Sequence, residues 1–182
     1  GKTTTASLVS RLFDPTEGAV FLLGKDIRSY NSIERAQKIG FILQEPFMFT
    51  GTVRDNLMYG NPLFADNTGN VAGNTAALNA KLQETGLASL LSRFSKGLDT
   101  QIDATSSLSL GEKQLIAFIR AVLRGPDILI LDEATANIDT VTEELLQSVL
   151  QKLPRETTRI VIAHRLNTIE NADDIFFVNG GE

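Results

Sequence analysis

The chain has 182 residues, enough for one well-buried core with a satellite subdomain, and its 42% apolar and 21% charged residues are ordinary globular values. Seventeen basic against 22 acidic residues give a net charge of −5, which argues against a nucleic-acid-binding surface. The absence of cysteine excludes disulfides and thiolate metal sites, and no apolar run approaches the roughly 18–20 residues that a membrane span needs.

In chain order, residues Thr3–Phe13 read as a helix ended by Asp14-Pro15, and Ala19–Leu23 as a short apolar strand closed by Gly24. A helix at Ile33–Lys38 leads into a strand at Ile39–Leu43 that runs to Gln44. From about Phe47 to Gly125 strand signals nearly vanish. Val53–Met58, Thr75–Glu84, Leu87–Phe94 and Gly111–Arg124 have helical spacing, and a Gly/Asn/Pro-rich loop occupies Asn61 to Asn74. Strand patterns return at Ile128–Leu131, Ile160–Ala163 and Ile175–Val178, separated by helical patterns at Thr140–Leu153 and Leu166–Asn171.

The strands are nearly continuous apolar runs, as expected of strands buried on both faces. Alternation with helices predicts an α/β fold with a mainly parallel sheet flanked by helices. We therefore expect an α/β core from residues 1–46 and 126–182 and an inserted α-helical subdomain from 47–125. The abrupt start at Gly1 and the turn-forming end at Asn179-Gly180-Gly181-Glu182 lead us to expect a segment of a longer protein, cut at both ends.

Three polar sites share one position. Gln44 follows IGFIL, Asp132-Glu133 follow ILIL, and His164 follows IVIA. Each stands at the carboxyl end of a predicted parallel strand, the edge where ligands bind in open α/β sheets. Adjacent carboxylates there suit a hydrated Mg²⁺ and an activated water beside a nucleotide phosphate. At the other end, Gly1-Lys2-Thr3-Thr4 opens a helix, whose unpaired N–H groups and positive dipole end suit phosphate. It matches the last part of the P-loop pattern, with Lys2 on the β/γ-phosphates and Thr3 on Mg²⁺.

Each signal has an ordinary alternative. GKTT could be a helix start with a solvated lysine, Asp132-Glu133 a polar strand boundary, His164 a structural histidine, Gln44 the beginning of a loop, and LSLGEKQ a helix cap with Ser109 as the capping side chain. These alternatives do not account for the joint order of GKT, Gln, LSxGx, apolar strand-Asp-Glu and His.

That order resembles the nucleotide-binding domain of ATP-binding cassette (ABC) transporters over essentially the whole chain. The matching motifs are the tail of Walker A (Gly1-Lys2-Thr3-Thr4), the Q-loop (Gln44), the signature loop (Leu108–Glu112), Walker B (Ile128–Asp132), the catalytic glutamate (Glu133), the D-loop (Ala136–Asp139) and the switch histidine (His164). GTVRDNLMYG, LDEATANID and AHRLNTI look like the exporter branch. The resemblance implies a P-loop NTPase core lacking its N-terminal strands and half its P-loop, with ATP and Mg²⁺ as ligands. Gly1, Lys2, Thr3, Thr4 and Gln44 would bind nucleotide; Thr3, Gln44 and Asp132 would serve Mg²⁺. Glu133 would polarise the attacking water and His164 contact the γ-phosphate.

The same resemblance implies a head-to-tail partner, a second nucleotide-binding domain. Ser109, Leu110, Gly111 and Glu112 would face ATP held by that partner, with Asp139 near the seam. Gln44 and the segment from Glu45 to roughly Asp55 would face the coupling helices of a transmembrane domain, expected to be fused upstream, at the cytoplasmic face of the cell membrane. The chain departs from the family at Leu110, which replaces a glycine, at Glu112, which replaces a glutamine, and at Thr100–Ser107 (TQIDATSS), where exporters usually carry a TxVGExG-like segment. The alternatives implied are a soluble, non-transport ABC ATPase and a fragment unable to bind ATP by itself.

Overall fold

The computed structural model describes residues 1–64, 71–103, 108–132, 138–162 and 172–179. Its centre is a three-stranded parallel sheet formed by β3 (Ile39–Ile42), β6 (Ile128–Asp132) and β7 (Thr158–Ile162), in the order β3-β6-β7. Ile42 pairs with Leu131 and Asp132 with Ile162, so all three strands end together along one carboxyl edge.

Alternation along β6 divides the core in two. Leu129 and Leu131 point into the larger cluster, with Ile42, Leu115, Phe118, Ile119 and Val122. Ile130 points into the other, with Ala6, Leu22, Ile27, Tyr30, Ile39 and Ile162. Burial on both faces accounts for the unbroken ILIL run. Each fully buried aliphatic side chain here contributes roughly 1.5–3 kcal/mol of transfer free energy.

Helix α1 (Lys2–Val9) packs on β6 and β7 from the second cluster's side. It stops four residues before the expected Phe13. The Ser10 hydroxyl donates back to the Ala6 carbonyl at 3.0 Å, and Arg11 takes a left-handed conformation with φ 54°. The amides of Leu12 and Arg11 then close onto the Ser7 and Leu8 carbonyls, which is the Schellman arrangement.

Two strand expectations are corrected. The run at Ala19–Leu23 does not join the parallel sheet. Its strand β1 (Phe21–Leu22) pairs antiparallel with β2 (Lys25–Asp26), because Leu23 and Gly24 both take positive φ (51° and 76°) and reverse the chain in a two-residue turn. The run at Ile175–Val178 forms no strand. Phe176 and Phe177 are 85% and 89% exposed there, with no described strand pairing with them.

Between β3 and β6 the chain is largely helical, as expected: α3 (Val53–Met58), α4 (Val71–Glu84) and α5 (Leu110–Leu123). Residues Leu87–Arg93 form a 3₁₀ helix, and α4 begins four residues before the expected Thr75. A short antiparallel pair, β4 (Gly51–Thr52) and β5 (Gln101–Ile102), closes this region. Helix α2 (Ser32–Lys38) enters β3 directly, with the Lys38 ammonium 2.8 Å from Asp127 at the start of β6. Helix α6 (Thr140–Lys152) connects β6 to β7.

Helix α5 approaches β3 closely because Gly40 has no side chain. A β-carbon at Gly40 would stand 2.9 Å from Leu129 Cδ1 and 3.3 Å from both Ala121 Cβ and Pro126 Cγ. Gly40→Ala is expected to destabilise the fold by about 1–3 kcal/mol through this overpacking. Chemical denaturation of the two chains measures the loss, and equal midpoints would show that the gap can relax.

Candidate functional site

The expected phosphate ligands Lys2, Thr3 and Thr4 form the first turn of α1, with Gly1 as its N-cap. Among the described residues no side chain caps this end, and its first turn holds no acidic residue, so its N–H groups lack a side-chain acceptor there. Lys2, Thr3 and Thr4 are exposed. Thr3 lies over the carboxyl edge of the sheet, its hydroxyl donating to Asp132 Oδ1 at 3.3 Å across 129 residues of sequence. Asp132 is the last residue of β6 and is 5% exposed. It shares the Ile130 side of the strand, the side covered by α1, and strand parity therefore decides that Asp132 meets Thr3. A hydroxyl beside a buried carboxylate is a hard oxygen donor pair of the kind that binds Mg²⁺. Among the described residues, no three His, Cys, Asp or Glu side chains gather as a metal cluster.

Gln44 follows β3 by two residues and stands at the same edge. Its backbone carbonyl accepts a hydrogen bond from Gln114 Nε2 at 3.1 Å. Glu133 and His164, expected as catalytic residues, lie outside the described residues.

Ser109 is the N-cap of α5, with Leu110 and Gly111 opening the helix. Glu112 closes a reciprocal capping box. Its carboxylate accepts from the Ser109 amide and hydroxyl, both at 2.8 Å, while the Ser109 oxygen accepts from the Glu112 amide at 3.2 Å. The glutamate that departs from the usual signature wording thus has a local structural partner. The helix-cap reading of LSLGEKQ is correct as geometry and is compatible with a further role for Ser109.

Asp139 caps α6. It accepts from the Thr142 amide at 3.1 Å and hydroxyl at 2.8 Å, and pairs with Arg93 at 2.5 Å.

A polar network that the sequence reading missed ties the Gln44 loop to α5. Asn56 is fully buried. Its Oδ1 accepts from the Phe49 amide and from Arg120, and its Nδ2 donates to the Phe49 and Thr52 carbonyls. Arg120 also donates to the Asn56 carbonyl at 2.8 Å and to the Phe47 carbonyl at 3.4 Å, and lies 5.6 Å from the Phe49 ring centroid. Burial pushes the Arg120 guanidinium down to about 10, which leaves it charged at neutral pH. The available signal was polarity on an apolar face. Gln114 falls in register with Phe118 and Val122 on α5, and Asn56 sits between Val53 and Leu57.

The ABC transporter domain family matches residues 1–136. The chain belongs to the ABC transporter family. It is 43% identical over its whole length to the Bacillus subtilis protein described as "Uncharacterized ABC transporter ATP-binding protein YfiC", covering 29% of that protein. It is 45% identical over 96% of its length to "ABC multidrug transporter mdr2" of Aspergillus fumigatus, covering 21%. It also resembles the solved "Structure of a bacterial Atm1-family ABC exporter with ATP bound", with TM-score 0.75, 33% identity, and coverage of 95% of this chain and 29% of that one. The chain spans less than a third of the length of each of these relatives, and no helix among its described residues is long and apolar enough to cross a membrane. The P-loop ABC fold expected from the motifs is therefore shown for this cassette.

The Thr142 hydroxyl and amide hold the Asp139 carboxyl below its ordinary value of 3.8, with a smaller contribution from Arg93. A depressed native pKa means that the cap's stabilisation is complete above the unfolded value and is lost as pH falls through the lower native one. The stability difference between the parent and Asp139→Ala should be constant at neutral pH and shrink in strong acid. Urea midpoints measured across that range check this; a difference that does not vary with pH contradicts it.

Proposed function

We propose that this chain is the ATP-binding and ATP-hydrolysing domain of an ABC exporter, coupling head-to-tail cassette dimerisation and ATP hydrolysis to substrate export across a membrane. The observation that carries the reading is the Thr3–Asp132 contact at 3.3 Å, which puts a helix-opening hydroxyl and a buried strand-end carboxylate on one ligand-binding edge. The named relatives are transporters and give no support to a soluble, non-transport ATPase.

Lys2 and the uncapped N–H groups of α1 bind the nucleotide phosphates, with Gly1 and Thr4 in the same cradle. Thr3, Gln44 and Asp132 hold Mg²⁺, Asp132 largely through water. When bound, the ion supplies positive charge beside the phosphates. Phosphoryl transfer needs mainly positioning and charge stabilisation. Glu133 orients and polarises the attacking water, and His164 contacts the γ-phosphate; both roles come from the motif resemblance.

Ser109, Leu110, Gly111 and Glu112 form the surface offered to ATP held by a second nucleotide-binding domain, and Asp139 lies at the seam. We divide the cassette into an α/β core, residues 1–46 and 126–182, and a helical subdomain, 47–125. The segment from Glu45 to about Asp55 meets the transmembrane domain, fused upstream in the full protein, at the cytoplasmic face of the cell membrane. A partly exposed aromatic cluster, formed by Phe47 and Phe49 with the nearby Tyr59, supports this. Phe49 stacks on Tyr59 at 3.8 Å and meets Phe47 edge-on at 5.0 Å, and Phe47 is 69% exposed.

In the full-length protein, Glu133→Gln is expected to lower kcat at least about 100-fold while ATP binding persists. Steady-state turnover alongside nucleotide binding tests this, and unchanged turnover removes Glu133 from the mechanism. Lys2→Ala is expected to weaken ATP binding at least about tenfold, since it deletes a charge-assisted phosphate contact. Equal affinity by equilibrium titration would count against the phosphate cradle.

A further inference from the structure

We propose that Gln114 is a positioning residue that ties Gln44 to the Ser109 turn, so that the nucleotide site of this chain and the surface it offers to a partner move together. The proposal rests on the roles given to Gln44 and Ser109 under the proposed function and adds the connection between them.

Gln114 is 1% exposed on the apolar face of α5, where a methionine or leucine would fill the space. Its Nε2 donates to the Gln44 carbonyl at 3.1 Å, a contact spanning 70 residues. Its Oε1 is buried with no hydrogen-bond partner among the described residues. The opposite amide orientation would set two acceptor oxygens against each other, so the carbonyl of Gln44 fixes which atom faces it. One hydrogen bond beside one orphaned buried acceptor gives little net stability, and an apolar side chain of similar shape would avoid the orphan. What the amide supplies, and an apolar residue does not, is a fixed hold on the backbone of residue 44.

That hold is placed to transmit movement. Gln114 follows Ser109 by five residues, about 7.5 Å along a rigid helix. Farther along the same helix, Arg120 holds the Phe47 carbonyl and, through Asn56, both backbone groups of Phe49. The Gln44–Phe49 segment is thus fastened to α5 at both ends. When the Ser109 end of α5 shifts against a partner's nucleotide, the backbone carrying Gln44 shifts with it.

A double-mutant cycle in the full-length protein tests this, with Mg²⁺-ATP turnover and Tm measured for the parent, Gln44→Ala, Gln114→Met and the double variant. The Gln44 carbonyl remains in the alanine background, so a merely structural role for Gln114 survives there while a role exerted through the Gln44 side chain does not. The expected result is a kcat about tenfold lower for Gln114→Met in the parent, with KM for ATP within about twofold and Tm not lowered, and less than about a twofold effect in the Gln44→Ala background. Gln114→Leu repeats the cycle if the methionine variant is unstable. Equal effects in both backgrounds, or unchanged kcat for Gln114→Met, overturn the connection. Gln44→Ala with undiminished turnover overturns the placement of Gln44 in the site as well, which separates failure of the two readings.

Discussion

Eight of the fourteen residues of α5 are buried, and the helix lies against β3 at a distance that only Gly40, facing Ala121 and Leu129, permits. Much of the functional architecture hangs from this contact. The N-terminus of α5 presents Ser109, its middle grips the Gln44 loop through Gln114, and Arg120 reaches α3 through Asn56. The close packing of α5 against β3 sets where the Ser109 turn stands relative to the strand end that carries Gln44.

The sheet performs the complementary task. Two separate apolar clusters cover its faces, and the β6 carboxyl end carries Asp132 to the boundary of the cluster that contains α1. The strand is apolar up to the residue before Asp132, so the carboxylate enters the edge of the core without crossing it. Its hydroxyl partner comes from the opposite end of the chain. A buried carboxylate needs such a partner, because a buried charge without hydrogen bonds is costly.

Polar groups are used sparingly inside this frame. Asn56 satisfies both ends of its amide through three backbone groups of Phe49 and Thr52 and through Arg120, so it stabilises the α3–α5 junction as well as orienting it. Gln114 leaves its Oε1 without a partner among the described residues. The capping box of Ser109 and Glu112 closes a helix end that would otherwise expose unsatisfied amides, and it gives the Leu110/Glu112 form of the signature a self-consistent geometry.

Local signals in the sequence determined the family motifs, the helix at Val53–Met58, the start of α6 at Thr140, and the strands β3, β6 and β7, because each depends on a pattern written in adjacent residues. The same signals found the strand at Phe21–Leu22 but not its pairing, since a two-residue turn diverts that run into its own antiparallel hairpin, and they misassigned Ile175–Val178, whose apolar character did not suffice without a described partner strand. The motif order already brought Lys2, Thr3, Gln44 and Asp132 together as one expected site. Only the tertiary structure decided that Thr3 touches Asp132, that Glu112 caps Ser109, and that Gln114, Arg120 and Asn56 bind the Gln44 loop to α5. The long-range contacts among these join residues 64 to 129 positions apart, and such pairings follow from strand register and helix packing, which no short stretch of sequence contains.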